Sequence, residues 1–336
     1  VDRVTRRDFL ALGGVMIAGS VLAPDSRPAR NAEPALVDRV RVGCYVHLLD
    51  HPYSDPVPVA ELAAFEAKFG RKFDIIHYYF GWGSEFNQAL SPNVPSRDLM
   101  FSWKPDGPTV ASIVTGDQDQ YIDSFAHQAA AYGHPVFLRF AWEMNGSWMD
   151  YSSSANGPDA TGYILAWQHV VSRFRMASAS NVRFIWCPNE DDSPDVEGNH
   201  LENYWPGEDW VDILGFDGYN WSNQEPTRGD GSWRTFEQVC ASPYARLADL
   251  SPDLPIWVCE LGTTEADAGD PPGATKQRWF LDMFATQKYP RLQAVVYFSE
   301  DDTTSVRRDW RIDTSTPSTA GWKKGWRDAP YNRVWL

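Results

Sequence analysis

Eight apolar, β-rich runs separated by helical patterns limit the fold of this chain more than any other feature. They are Val42–Val46, Phe73–Phe80, Leu99–Trp103, Val136–Glu143, Val182–Asn189, Val211–Tyr219, Ile256–Gly262 and Ala294–Glu300. Near-continuous apolar strands alternating with helices make a parallel sheet covered on its outside. Helical spacing occurs at 59–69, where Leu62, Phe65 and Phe69 share one face, and at 120–132, 162–176, 235–250, 276–287 and 322–326. The segments after the second and fifth runs read as reduced or irregular. Eight such units in 336 residues favour an α/β chain of the closed (β/α)8 type over an open doubly wound sheet. No GxGxxG or GxxxxGK(S/T) loop follows any run, which argues against a nucleotide fold.

The N-terminal segment reads differently. Thr5-Arg6-Arg7-Asp8-Phe9-Leu10 precedes an apolar, Gly-rich run from Ala11 to Ala23. Paired arginines before a modest apolar stretch resemble a twin-arginine export signal. We therefore expect residues 1–31 to be signal and linker and 32–336 to be one barrel domain. The expected location is secreted, extracellular or cell-envelope. Beyond this segment no apolar run approaches the roughly 20 residues of a membrane span, so no stable membrane anchor is expected.

Lys and Arg number 30 against 45 Asp and Glu, a net charge of −15. That balance repels nucleic acid and fits a neutral substrate. Sixteen Trp, 14 Tyr and 17 Phe suit either a large aromatic core or a groove of rings on which the CH faces of sugars stack. The four cysteines form no CxxC pair and there is no HExxH, so neither a metal nor a cofactor is expected. The seven His show no ligand spacing. The acidic stretch Glu190-Asp191-Asp192 with Asp195 and Glu197 has the residue types of a calcium loop, and equally those of a solvated one.

In a (β/α)8 barrel the chemistry gathers at the C-terminal ends of the strands. The polar residues closing runs are Glu143, Asn189, Asp217 with Tyr219, Glu260, and Glu300 with Asp301. By strand alternation Glu143 shares its face with Ala141 and Arg139, and Glu260 with Val258, while Trp257 and Cys259 turn outward. Outward Cys259 would meet the helix carrying Cys240, which makes Cys240–Cys259 the candidate disulfide. Two glutamates then project into one mouth. A retaining glycosidase needs such a pair, one carboxyl protonated to donate to the leaving oxygen and one ionised to attack the anomeric carbon. Different surroundings must hold them in different states. Trp142 and Trp148 are candidates for an apolar wall around Glu143, and Tyr219 for a hydrogen bond to Glu260. The competing assignment is that each Glu is a barrel-end ion pair, with Arg139 as partner.

The run Leu138-Arg139-Phe140-Ala141-Trp142-Glu143-Met144-Asn145-Gly146-Ser147-Trp148 is similar to the acid/base segment of glycoside hydrolase family 26, the β-mannanase family. Trp186-Cys187-Pro188-Asn189, Tyr204-Trp205-Pro206-Gly207, the segments 211–221 and 255–262, and Asp309-Trp310-Arg311-Ile312-Asp313 also resemble it, in the family's order. The resemblance runs from about Val42 to the C-terminus. It implies a retaining endo-β-glycanase with acid/base Glu143 and nucleophile Glu260, acting on β-1,4-mannan or glucomannan. It also implies that Tyr219 contacts the nucleophile and that Tyr297 helps floor the −1 subsite. The expected substrate contacts are Trp82, Arg139, Trp142, Asn145, Trp148, Asn189, Asp217, Tyr219, Trp221 and Tyr297, with Trp103 and Trp310 as further platform candidates. Mannanases of the family usually have His where this chain has Trp142, and often Trp where it has Tyr297. Mixed-linkage β-glucan, β-1,3-xylan and the producer's own exopolysaccharide are therefore the alternative substrates. A non-catalytic polysaccharide-binding barrel is the alternative class. A monomer with a poly- or oligosaccharide as its only partner is expected.

Overall fold

The computed structural model describes residues 40–46, 58–86, 97–157, 159–222, 232–305 and 307–329. The expected export signal lies outside them. Among the described residues no helix is long and apolar enough to cross a membrane.

Eight parallel strands close into a barrel: β1 (Arg41–Val46), β2 (Ile75–Gly81), β3 (Asp98–Lys104), β4 (Val136–Phe140), β5 (Val182–Trp186), β6 (Ile213–Asn220), β7 (Ile256–Thr263) and β8 (Leu292–Ser299). Pairing of Arg41 with Ala294 through Val46 with Ser299 joins β1 to β8 and completes the ring. All eight runs of the sequence are strands, although β4 and β5 stop three residues early, at Phe140 and Trp186. Outside the ring lie α1 (Val59–Ala67), α2 (Val110–Val114), α3 (Asp119–Tyr132), α4 (Ser153–Asn156), α5 (Thr161–Met176), α6 (Phe236–Leu250), α7 (Lys276–Ala285) and α8 (Thr316–Arg327). The short α2 and α4 had no periodic signal. Three single-turn 3-10 helices between 197 and 210 replace a helix after β5, the irregularity expected there.

Capping explains several boundaries. At α6, Thr235 accepts from the backbone of Gln238 while Gln238 bonds back to Thr235, a reciprocal box. Gly133 ends α3 in the left-handed conformation that its missing side chain permits.

The barrel is filled by side chains. On its floor the Arg41 guanidinium lies 5.0 Å from the Phe137 ring centroid and 4.6 Å from that of Trp257, groups from β1, β4 and β7. Trp257 therefore faces inward, against expectation. Above it the Cys187 thiol bonds Asp217. Cys259 meets Cys187 over Gly215, where an added Cβ would lie 2.7 Å from the Cys259 sulfur and 3.1 Å from the Cys187 Cβ. The cause is a bulge. Phe216 pairs with Val258 but the next residue, Asp217, pairs with Glu260, so Cys259 is an extra residue on β7. A bulge resets the alternation and re-aims the following side chain. Cys259 and Glu260 thus both face the interior. Cys259 is turned away from the helix layer where α6 holds Cys240, and all four cysteines are buried free thiols, so the Cys240–Cys259 disulfide does not form.

After β8 the chain makes a two-stranded antiparallel ribbon, β9 (Asp301–Asp302) with β10 (Arg308–Asp309). The ribbon carries Trp310 back over β6, with its ring centroid 4.8 Å from Tyr219.

Candidate active site

Glu143 lies three residues beyond β4, in a backbone that L-residues rarely adopt. Ala141 has φ +43° and Glu143 φ +52°. Such left-handed conformations cost roughly 1–2 kcal/mol each and persist only where neighbours over-determine them. Here they do. The Ala141 amide donates to Trp103 O (3.1 Å) and the Glu143 amide to Cys187 O (2.8 Å). The Tyr163 hydroxyl donates to Ala141 O (3.1 Å) and the Tyr151 hydroxyl to Trp142 O (2.6 Å). The kink ends the alternation at Phe140. Trp142, which alternation would turn outward, lies instead 4.9 Å from the Arg139 guanidinium and 5.6 Å from the Tyr79 ring.

The Glu143 carboxyl accepts from Asn189 Nδ2 (2.6 Å) on one oxygen and from the Trp148 indole (2.7 Å) on the other. Burial first, then the negative charge of Glu260, push its pKa up to about 7, against the opposing pull of these two donors. Trp148 folds back onto Gly146, where a Cβ would lie 2.4 Å from the indole. Only glycine lets the ring reach that carboxyl. Trp148 thus contributes a donor that opposes the shift, where an apolar wall had been expected.

Glu260 is buried beneath this loop. Arg139 Nη2 and the Tyr219 hydroxyl (2.7 Å) donate to its two oxygens. Gly262 makes room for Tyr219, since an added Cβ would lie 2.5 Å from that ring. Arg139 also holds Asp217 through Nη1, at 2.6 Å from each oxygen, and donates from Nε to Ser102 Oγ (2.7 Å), which in turn contacts His77 Nε2 (2.6 Å). Burial lowers the Arg139 pKa, but Asp217 and Glu260 outweigh it and hold it well above the ordinary value. Burial pushes the Asp217 carboxyl well above the ordinary range, against the opposing pull of Arg139. At Glu143, burial and then the negative charge of Glu260 favour the protonated form.

The geometry is that of two carboxyls in one mouth, one with its pKa raised to about 7 and one ion-paired. A family model described as glycosyl hydrolase family 26 matches residues 111–252. The chain belongs to glycoside hydrolase family 26. Among curated proteins it is 31% identical over 276 residues to endoglucanase H of Acetivibrio thermocellus, covering 78% of this chain and 28% of that one. It is 29% identical over 170 residues to mannan endo-1,4-β-mannosidase A and B of Caldalkalibacillus mannanilyticus, covering 49% and 28%. The chain thus spans little more than a quarter of the length of these relatives. Among solved structures, a GH26 β-mannanase from Bacteroides ovatus superposes with a TM-score of 0.62 at 17% identity, over 89% of this chain and 91% of the other. That likeness shows the (β/α)8 fold.

The structure divides the expected substrate contacts of this family 26 barrel. Trp148, at 41% exposure, and the partly exposed Asn189 and Trp221 stand at the mouth. Tyr219 and Trp142 lie just beneath it. Arg139 and Asp217 are fully buried and fully engaged, so they hold Glu260 in place of touching a ligand. Asn145 is buried too. Its amide nitrogen serves Asn189 O (3.1 Å) and Asp192 Oδ1 (2.9 Å), and its oxygen accepts from the Asn189 amide (2.8 Å), stapling the loops after β4 and β5 together. Trp82 stacks on Trp103 at 4.6 Å, and Trp103 on Phe125 at 4.4 Å, which places both in the helix layer. Trp310 is buried behind Tyr219. Tyr297 points outward, 5.5 Å from Phe280 and 5.2 Å from Trp322. Its neighbour Phe298 is the β8 residue in the mouth, 6.0 Å from Tyr219.

The sequence reading missed Tyr79, which lies between Trp142 and His77. Its signal was available: it shares strand parity with His77 on β2. The acidic stretch breaks up. Glu190 is buried against Arg234 and the Tyr219 amide (2.9 Å), with burial lifting its pKa to about 8. Among the described residues Asp192, Asp195 and His200 are the one metal-like group, but Asp192 already serves Asn145, the Leu201 amide (2.9 Å) and Arg246 (2.8 Å).

Proposed function

We propose that this chain is a retaining endo-β-glycanase, with Glu143 as acid/base and Glu260 as nucleophile. The observation that carries the reading is the contrast between the two carboxyls. A group with a pKa of about 7 is protonated in mildly acid solution and still half protonated near neutrality, so it can donate to a leaving oxygen. Glu260 accepts an ion pair and a phenol, the partners of a carboxylate ready to attack. Glu260 adds to the anomeric carbon as the glycosidic bond breaks and the Glu143 proton passes to the departing oxygen. Glu143, now the base, then takes a proton from water, which displaces Glu260 and restores the starting anomer. Proton NMR of a digest checks this, since the β-anomer should appear first. First appearance of the α-anomer would mean inversion.

The proposed substrate is β-1,4-mannan or glucomannan, supported by the resemblance and by the mannosidase relative. A second reading, β-glucan, is favoured by Trp142 in place of the usual His and by the longer match to endoglucanase H. A reducing-sugar assay on mannan, glucomannan, mixed-linkage glucan and β-1,3-xylan separates them. Export through the twin-arginine route, with the mature chain acting as a secreted monomer, completes the proposal. Retention of the precursor in cells whose twin-arginine translocase is disabled tests the route.

A further inference from the structure

The reading above leaves one polar group beside the nucleophile without a task. Tyr79 stands on β2 inside a cage of rings: His77 at 4.4 Å, Tyr45 at 4.8 Å, Trp142 at 5.6 Å and Phe298 at 6.3 Å between centroids. The cage fixes the ring and points its buried hydroxyl toward Glu260, with no hydrogen bond of normal geometry among the described residues. An unpaired buried hydroxyl costs about 1–3 kcal/mol, and that cost disappears when a ligand supplies the partner. Burial and then the charge of Glu260 hold the phenol well above its ordinary pKa, so it stays a donor. Arg139 and Tyr219 already donate to the two Glu260 oxygens, so the Tyr79 hydroxyl stands beside the nucleophile as a third, weaker contact that can turn to a ligand.

We infer that the Tyr79 hydroxyl bonds the 2-hydroxyl of the sugar under attack, making Tyr79 a specificity-determining contact. This rests on Glu260 being the nucleophile. A nucleophile attacks C1, and the first substituent that a group beside it meets is the one on C2. Bonds to that hydroxyl strengthen as the oxocarbenium-like transition state forms. Mannose and glucose differ in the orientation of this same group, so the contact bears directly on the choice between mannan and glucan.

The test compares wild type with Tyr79→Phe, which keeps the ring in its cage. The probes are 2,4-dinitrophenyl β-cellobioside and β-mannobioside, each alongside the analogue that is 2-deoxy in the sugar bearing the phenol. Tyr79→Phe should lower kcat/KM on the better parent substrate by about 10- to 100-fold. It should leave the 2-deoxy analogue within about 2-fold of wild type and narrow the preference between the two parents. An equal loss on parent and 2-deoxy substrates, or no loss on either, would overturn the inference while leaving the glycosidase reading intact. If wild type releases no phenol from either parent, the mannan and glucan readings fall and take this inference with them.

Discussion

The loop after β4 and the bulge in β7 hold the same side chain in opposite conditions. Glu143 sits beyond the end of its strand, on left-handed backbone, between two neutral donors. Glu260 sits within its strand, buried, between a guanidinium and a phenol. The difference teaches that local backbone decides which charges a carboxyl can reach. The kink lifts Glu143 away from Arg139, and the bulge turns Glu260 onto it. Burial and the charge of Glu260 raise the Glu143 pKa to about 7, while Arg139 ion-pairs Glu260.

The sharpest break of this contrast is Glu260→Ala, which removes the proposed nucleophile and should lower kcat by about 10⁵-fold. No glycosyl-enzyme can form, so added azide can give only the α-azide by direct displacement. Glu143→Ala should cost about 10²–10⁴-fold on natural glycans but spare the first step on an activated aryl glycoside. The intermediate then accumulates, and azide should restore turnover as the β-azide. Reversed azide products would reverse the assignment, and wild-type rates in both variants would promote the binding-barrel alternative.

Smaller changes sharpen the comparison. Asn189 favours the charged form of Glu143, so Asn189→Ala should move the alkaline limb of kcat/KM upward from about pH 7. A downward move would mean that the amide serves the neutral form. Stability gives the smallest readout. The folded Glu143 pKa lies above its ordinary value of 4.5, so the native state binds the extra proton. The stability contribution is present below that ordinary value and is lost as pH rises from there through about 7. Glu143→Gln should therefore raise Tm relative to wild type by about 2 °C at pH 8, with the difference fading toward pH 4. A pH-independent difference would assign the effect to packing.

The architecture was legible because barrel strands are apolar throughout, a pattern that survives errors at their ends. The site was legible only where alternation held. Arg139 was placed correctly on the inner face of β4, but its full burial against Asp217 could not be read from spacing. Trp142 was named beside Glu143, but the kink that turns it inward was not legible, because nothing in Phe140-Ala141-Trp142-Glu143 announces positive φ. Cys259 escaped because a bulge leaves no compositional mark. Tyr297 was carried over from the resemblance onto the wrong parity, since Phe298 takes the inward position. Tyr79 was legible only through its shared parity with His77, because no polar residue closes the run His77-Tyr78-Tyr79-Phe80.

The left-handed Ala141 also has a meaning for engineering. Glycine would adopt φ +43° without the Cβ clash, so a screen for thermal tolerance has a reason to select Ala141→Gly. The same substitution would relax the segment that aims Glu143, the proposed acid/base. Variants chosen for survival at high temperature would then turn over more slowly at moderate temperature, because stability and rate draw on the same strained turn.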